Sequence, residues 1–244
     1  GSFVATTNGL ASGNTLDEAV CHGLFEVIER DATTLWRLSD EASQAKTSLD
    51  PASIDDPICR GLLDKFAAAE IDVAIWDVTT DVGIATFKCM IAGRNDGVGA
   101  PEVGAGTHLS REVALSRALT EAAQARTTYI SGARDDITAE QYRKTVRDER
   151  LSFAREVIEN QVPVRKFSDV PTTTTNSFAD DLEVTVEALA NVGIEEILMV
   201  DLTKPDIGVA VVRMVVPGLE AALEGPDSDY VPGERAAKLV GAEP

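Results

Sequence analysis

One pattern occurs twice in this chain and limits what it can fold into. Asp77-Val78-Thr79…Gly83-Ile84 is echoed by Asp201-Leu202-Thr203…Gly208-Val209. Each copy follows a helical stretch and leads into an apolar strand. The first helix is expected from Asp55-Asp56-Pro57 to about Ala69, and the second over Asp180–Asn191. Ile71–Thr79 with Ile84–Gly93, and Ile197–Thr203 with Val209–Val216, read as strand pairs around short polar turns. The unit is therefore helix–strand–strand, used twice. Helices packed on antiparallel strand pairs make an α+β fold rather than alternating strands and helices around a parallel sheet. Two copies over about 125 residues are too sparse for a solenoid.

The rest of the chain is read around this frame. Ser2–Thr6 looks like a short strand, and Asn8–Asn14 like a small-residue loop. Thr15 opens a long helix to about Leu38, with Thr15 and Glu18 in the T-x-x-E pattern of a capping box. Asp96–His108 reads as a glycine-rich loop. Ser110 then caps an Ala-rich helix ending near Ile130, and another helix is expected over about Ala139–Glu159. Pro171–Thr175 is an extended polar loop. After Pro217-Gly218-Leu219-Glu220 the chain reads as a loose polar tail, which divides it into a domain over residues 1–220 and a tail over 221–244.

Composition removes several classes of function. The 244 residues carry 22 basic against 41 acidic side chains, a net charge of −19. A nucleic-acid surface needs a basic face, and adsorption to anionic membranes needs the same. No apolar run approaches the roughly 18 residues of a membrane span. The three cysteines, Cys21, Cys59 and Cys89, are widely spaced, and there are only two histidines. A zinc ribbon is thereby out, and buried reduced thiols of a cytoplasmic protein are expected. Aromatics are 5% of the chain, so Ala, Val, Leu and Ile must fill the core. No Walker A, G-x-S-x-G or H-E-x-x-H sequence occurs.

Two helices carry polar strips. At about 100° per residue from Glu18, His22 falls near 40°, Glu26 near 80° and Glu29 near 20°, with Asn14 just ahead. Leu16, Ala19, Val20, Leu24 and Val27 centre on the opposite side. One reading is an amphipathic helix with an acidic solvent face. The other is a carboxylate row suited to Mg²⁺, a hard cation that takes oxygen ligands. Glu26 and Glu29 repel at i,i+3 with no lysine on their strip, at a cost of roughly a few tenths of a kcal/mol. In the second helix Arg117, Glu121 and Gln124 share a face, and Arg126 points to the apolar side. Arg before Glu is the poorer order for an i,i+4 ion pair, so helix support explains that strip badly. Cys21 and His22 point 100° apart and form no dyad; His108 reads as a loop residue.

Three segments in this order resemble the YcaO family: Asn8-Gly9-Leu10-Ala11-Ser12-Gly13-Asn14-Thr15 with Glu18, His22, Glu26 and Glu29-Arg30-Asp31-Ala32; Ala114 through Arg126; and Asp201-Leu202-Thr203…Asp206-Ile207-Gly208 running on to Pro217-Gly218-Leu219-Glu220. The resemblance implies ATP- and Mg²⁺-dependent activation of a peptide backbone amide. A nucleophile adds to the amide carbonyl, ATP phosphorylates the oxyanion, and loss of phosphate leaves an azoline, a thioamide or an amidine. It further implies that Asn14, Glu18, Glu26, Glu29, Arg117, Glu121 and Gln124 hold the nucleotide, with Glu26, Glu29 and Glu121 on the metal. Arg30 and Arg126 match motif arginines with a structural or phosphate-proximal role.

The implied setting is peptide modification, including that of ribosomal peptides. The implied partners are a peptide or protein substrate, a TfuA-like or peptide-docking protein, and a further copy of the chain in a homo-oligomer. Two departures stand out. The family's S-x-x-x-E-x-x-E-R motif, expected upstream with more Mg²⁺ ligands, is not in this sequence, so an N-terminal segment of the family domain is expected to be missing. The end Gly241-Ala242-Glu243-Pro244 is not the P-x-P-x-P tail that accompanies azoline formation, which tilts the expectation towards thioamidation. The contrasting expectation is a non-catalytic scaffold that keeps the fold with half a metal site.

Overall fold

The computed structural model describes residues 6–95, 99–133, 137–221 and 230–241. In chain order the elements are β1 (Leu10–Gly13), α1 (Leu16–Leu38), α2 (Glu41–Ala45), α3 (Pro57–Ala68), β2 (Ile71–Asp77), β3 (Thr86–Gly93), β4 (Glu102–Thr107), α4 (Arg111–Ser131), α5 (Lys144–Glu159), α6 (Phe178–Asn191), β5 (Leu198–Asp201), β6 (Ala210–Val215) and α7 (Glu234–Val240). They fall into two compact units. One comprises Gly1–Asp40, Thr79–Ile84 and Thr172–Pro244; the other comprises Glu41–Val78 and Ala85–Pro171. No described helix is long and apolar enough to cross a membrane.

The second unit is a three-stranded antiparallel sheet in the order β2-β3-β4. Asp56 caps α3, its carboxylate accepting the Cys59 N–H at 2.8 Å, and Pro57 fills the first turn, where no N–H is needed. Leu49, Ile75, Phe87, Ile91, Leu115, Leu119 and Phe167 form the core. The Phe87 and Phe167 rings stack at 6.0 Å. Helix α4 lies unusually close on β4. A Cβ on Gly104 would sit 2.2 Å from the Ala118 carbonyl oxygen, and one on Gly106 2.2 Å from that of Ala114. Ala114, Ala118 and Ala122 are fully buried along that contact. These glycines therefore serve close approach of backbones, not a loop. The expected glycine-rich loop over Asp96–His108 is corrected accordingly: Glu102–Thr107 is a strand.

The first unit repeats the design. Its sheet runs β1-β6-β5, also antiparallel, with Leu10 opposite Arg213 and Leu198 opposite Val215. Helix α1 packs on it through Gly23, where a Cβ would lie 2.6 Å from Met214 Cγ. Gly9 takes φ +73°, and its carbonyl accepts the Met214 N–H at 2.8 Å. The expected small-residue loop over Asn8–Asn14 thus holds strand β1. Of the expected strand Ser2–Thr6, residues 2–5 lie outside the described residues and Thr6 is in no strand.

The twofold pattern seen in the sequence is real and larger than it looked. In the second unit α3, β2, β3, β4 and α4 follow one another. In the first, α6, β5 and β6 come from the end of the chain, and β1 and α1 from its start. Both sheets place the strand that precedes the long helix at an edge. Helix α5 begins at Lys144 rather than near Ala139.

Within the stretch read as a polar tail, Glu234–Val240 forms α7, held by a buried network. The fully buried Asp31 of α1 accepts two bonds from the Arg235 guanidinium, at 3.0 and 3.1 Å, and the Glu220 N–H at 2.9 Å. Arg235 also bonds Asp81. Burial pushes the Asp31 carboxyl up, against the Glu220 N–H and Arg235, which favour its charge. Glu220 accepts Tyr230 Oη–H at 2.7 Å and the N–H groups of Gly233 and Ala236 at 2.9 Å each. Burial pushes its carboxyl up too, but these donors prevail and hold it below its ordinary 4.5.

Gly104→Ala should destabilise the protein by about 1–3 kcal/mol in denaturant titrations, because neither backbone can yield. Gly61→Ala, with open space around it in α3, should stabilise by about 0.5–1 kcal/mol. Arg235→Ala leaves Asp31 buried and unpaired, and should cost about 3 kcal/mol. The Glu220 contribution is present above pH 4.5 and lost as pH falls through its lowered folded value. Amide exchange at Ala236 should accelerate over that acid range in the native protein, and Glu220→Gln should remove the pH dependence.

Candidate functional site

Thr15 caps α1 as its sequence requires, its hydroxyl accepting the Glu18 N–H at 3.2 Å. The reciprocal half of the capping box closes one residue earlier than the pattern predicts. Glu18 Oε2 accepts both the backbone N–H of Asn14, at 2.8 Å, and its side-chain amide, at 3.0 Å. The Asn14 backbone bond, and then its side-chain bond, hold the Glu18 carboxyl below its ordinary value. Asn14 and Glu18, both expected at the site, are thus in direct contact at the mouth of α1.

One and two turns on come His22 and Glu26, both half-buried. His22 Nδ1 lies 3.3 Å from the Ser12 carbonyl oxygen on β1, and since a carbonyl only accepts, that nitrogen carries the proton. Glu26 is 3.6 Å from the Arg30 guanidinium, which relieves the repulsion with Glu29 that the sequence implied. Glu29 is 8% exposed.

The strip on α4 sits in the same relation to its strand. Glu121 Oε2 accepts the Ala105 N–H of β4 at 3.1 Å. Arg117 is half-buried and Gln124 exposed. Arg126, expected at the helix end on the apolar side, donates to the Ala100 carbonyl at 2.8 Å, and burial lowers its pKa. A Cβ on Gly99 would lie 2.3 Å from that guanidinium, so the glycine makes room for it.

The two helices correspond position by position. Counted from the caps Thr15 and Ser110, the seventh residue on is His22 or Arg117, the eleventh Glu26 or Glu121, and the fourteenth Glu29 or Gln124. The residues that face the sheet also correspond, Ala19 with Ala114 and Gly23 with Ala118. Each strip touches the edge strand of its own sheet at one point, His22 at the Ser12 carbonyl of β1 and Glu121 at the Ala105 N–H of β4. Glu26 and Glu29 belong to the first unit and Glu121 to the second. Among the described residues, no three His, Cys, Asp or Glu side chains form a cluster poised to hold a metal.

The remaining reactive types are inert here. Cys21, Cys59 and Cys89 are buried and unpaired in disulfides, and burial is the first cause pushing each thiol up to about 12. Burial thus favours the protonated thiol over the nucleophilic thiolate at each. His108 accepts the Ser110 N–H at 3.0 Å, beside the cap of α4. The buried group Asp31–Glu220–Arg235 escaped the sequence reading. Asp31 and Glu220 lie inside the quoted family segments, whereas nothing in the pattern around Arg235 marks it.

Comparison with known proteins bears on the family and the fold. An uncharacterized protein of Methanothermobacter thermautotrophicus is 40% identical over 230 residues, which cover 92% of this chain and 58% of that protein. An uncharacterized protein in the tfuA 3′ region of Rhizobium leguminosarum bv. trifolii is 36% identical over 255 residues, 99% of this chain and 58% of its own length. The chain therefore spans less than two thirds of either relative. A solved heterocyclase in complex with substrate and cofactor matches with a TM-score of 0.71 and 26% identity, over 90% of this chain and 29% of its own. The model of the YcaO cyclodehydratases, an ATP- and Mg²⁺-binding family, matches residues 1–220. With the family's motifs on two equivalent helix–strand edges and its model matched over most of the sequence, this chain belongs to the YcaO family.

Proposed function

We propose that the α1 and α4 strips belong to a Mg²⁺–ATP site that activates a peptide backbone amide, in cyclodehydration to an azoline or in thioamidation. The observation that carries this reading is the matched offset of Glu26 with Glu121, and of Glu29 with Gln124, from the caps of two helices that each pack on an edge strand. A purely solvating face has no reason to repeat oxygen-bearing side chains at the same offsets, nor to bury Glu29.

The donor set fits the metal: carboxylate and amide oxygens are what Mg²⁺ takes, and it keeps waters and substrate phosphates as its other ligands. Glu26, Glu29 and Glu121 would hold the metal and Asn14, Glu18, Arg117 and Gln124 the nucleotide. Bound Mg²⁺ would neutralise phosphate charge, which lets a chain of net charge −19 accept a triphosphate. Arg117 would offer the phosphates a fixed positive charge, and the Asn14–Glu18 contact orders the start of α1. The setting is peptide modification, with a peptide substrate and, from the tfuA neighbourhood of the Rhizobium relative, a TfuA-like partner. The non-catalytic scaffold is the reading to defeat.

Calorimetry with ATP decides between them. Binding should require Mg²⁺, and Glu26→Gln and Glu121→Gln should each weaken it about tenfold or more, a loss of about 1.4 kcal/mol. Melting temperatures without ligand should stay near that of the parent, while the rise produced by Mg²⁺–ATP shrinks in both variants. Unchanged affinity in both would leave the strips as solvent faces. Glu18→Gln should keep the helix and lower affinity, since it retains an acceptor for Asn14 and loses only the charge.

A further inference from the structure

The outer edge of β5 is built to be covered. Strand β5 ends the sheet β1-β6-β5 and, among the described residues, pairs only with β6. Leu202 donates its N–H to Val211, so the alternation of an antiparallel ladder turns the backbone groups of Leu198 and Val200 towards β6 and those of Met199 and Asp201 outwards. Side chains alternate between faces as well, yet Leu198, Met199 and Val200 are 46%, 45% and 47% exposed. Both faces of the strand are thus apolar and half open. Val215, opposite Leu198 on β6, extends one of these surfaces. Edge strands that stay in solvent carry charge or proline where they face outwards. This one has three apolar residues in a row, with Glu195 and Glu196 before them and Asp201 at their end, all exposed.

We propose that this edge is the docking surface for the part of a YcaO polypeptide that this chain does not span, which adds a strand beside Met199–Asp201. The occupant follows from length. The Methanothermobacter and Rhizobium relatives each share 58% of their length with this chain, which leaves about two fifths of each as further polypeptide. A strand from that part would pair with the outward N–H and C=O groups, cover Leu198 and Val200 on one face and Met199 on the other, and leave the acidic residues at the rim.

The test uses the 244-residue chain and, as probe, the separately produced remainder of the Methanothermobacter relative, without nucleotide, so that failure here is distinct from failure of the ATP site. Mixing should slow hydrogen exchange at Met199 and Asp201 by about tenfold or more. Met199→Pro is the decisive variant. Its lost N–H points outwards, so the ladder to β6 survives, as proline on a sheet edge allows. It should keep the melting temperature and abolish binding, and Met199→Lys should weaken binding without a backbone change. Three results would overturn the proposal: no binding of the remainder, undiminished binding by Met199→Pro, or protection that rises with the chain's own concentration, which would assign the edge to a second copy.

Discussion

Backbone-to-backbone proximity of a long helix and an edge strand sets the rest of this structure. Gly104 and Gly106 let the carbonyls of Ala118 and Ala114 approach to distances at which any Cβ would collide, and Gly23 of α1 makes room for the Met214 side chain of β6. A helix seated that deeply has only one rotation about its axis. The rotation that turns Ala114, Ala118 and Ala122 into β4 also carries Arg117, Glu121 and Gln124 along the strand's outer edge. In α1 Ala19 and Gly23 lie on the sheet, Glu18 meets Asn14 and His22 meets the Ser12 carbonyl of β1. Packing of small residues thus aims the polar strips, with few large side chains taking part.

Electrostatics finishes what packing begins. A strip of carboxylates would repel itself, and each is given a partner of a different kind. Glu18 is tied to Asn14, Glu26 to Arg30, and Glu121 to a backbone N–H that the edge of β4 leaves available. Each of these carboxylates lies towards solvent and is held by one or two donors. The buried acids of the same unit behave otherwise. Asp31 and Glu220 are saturated by Arg235, Tyr230 and backbone donors, and they fasten α7 to α1. Burial and the number of donors set Asp31 and Glu220 apart from Glu18, Glu26 and Glu121.

Much of this was legible in the chain. Helix caps announce themselves because their chemistry is local: Thr15, Asp56 and Ser110 each sit where a free N–H needs an acceptor. Hairpins around Thr80–Gly83 and Lys204-Pro205-Asp206 showed through turn residues, and the doubled helix–strand–strand unit through its echo. The glycine stretches at 8–14 and 99–108 misled, because glycine in a loop and glycine under a helix are the same letter. Only the position of α4 or α1 above them tells which applies. Helix α7 was missed for a related reason: seven residues have little intrinsic tendency to form a helix, and Glu220 and Asp31 supply its anchor from elsewhere in the chain.

The sequence by itself determined the α+β class, the extents of α1 and α4, which residues share a face of each, and the family, since each depends on residues close together in the chain or on an ordered set of motifs. Tertiary structure alone decided that β1 and β4 are strands, that the two halves share one helix-to-edge geometry, and that Asp31, Glu220 and Arg235 form a buried anchor. Those outcomes depend on pairs separated by a dozen to two hundred residues, whose contact is set by what the rest of the fold leaves room for.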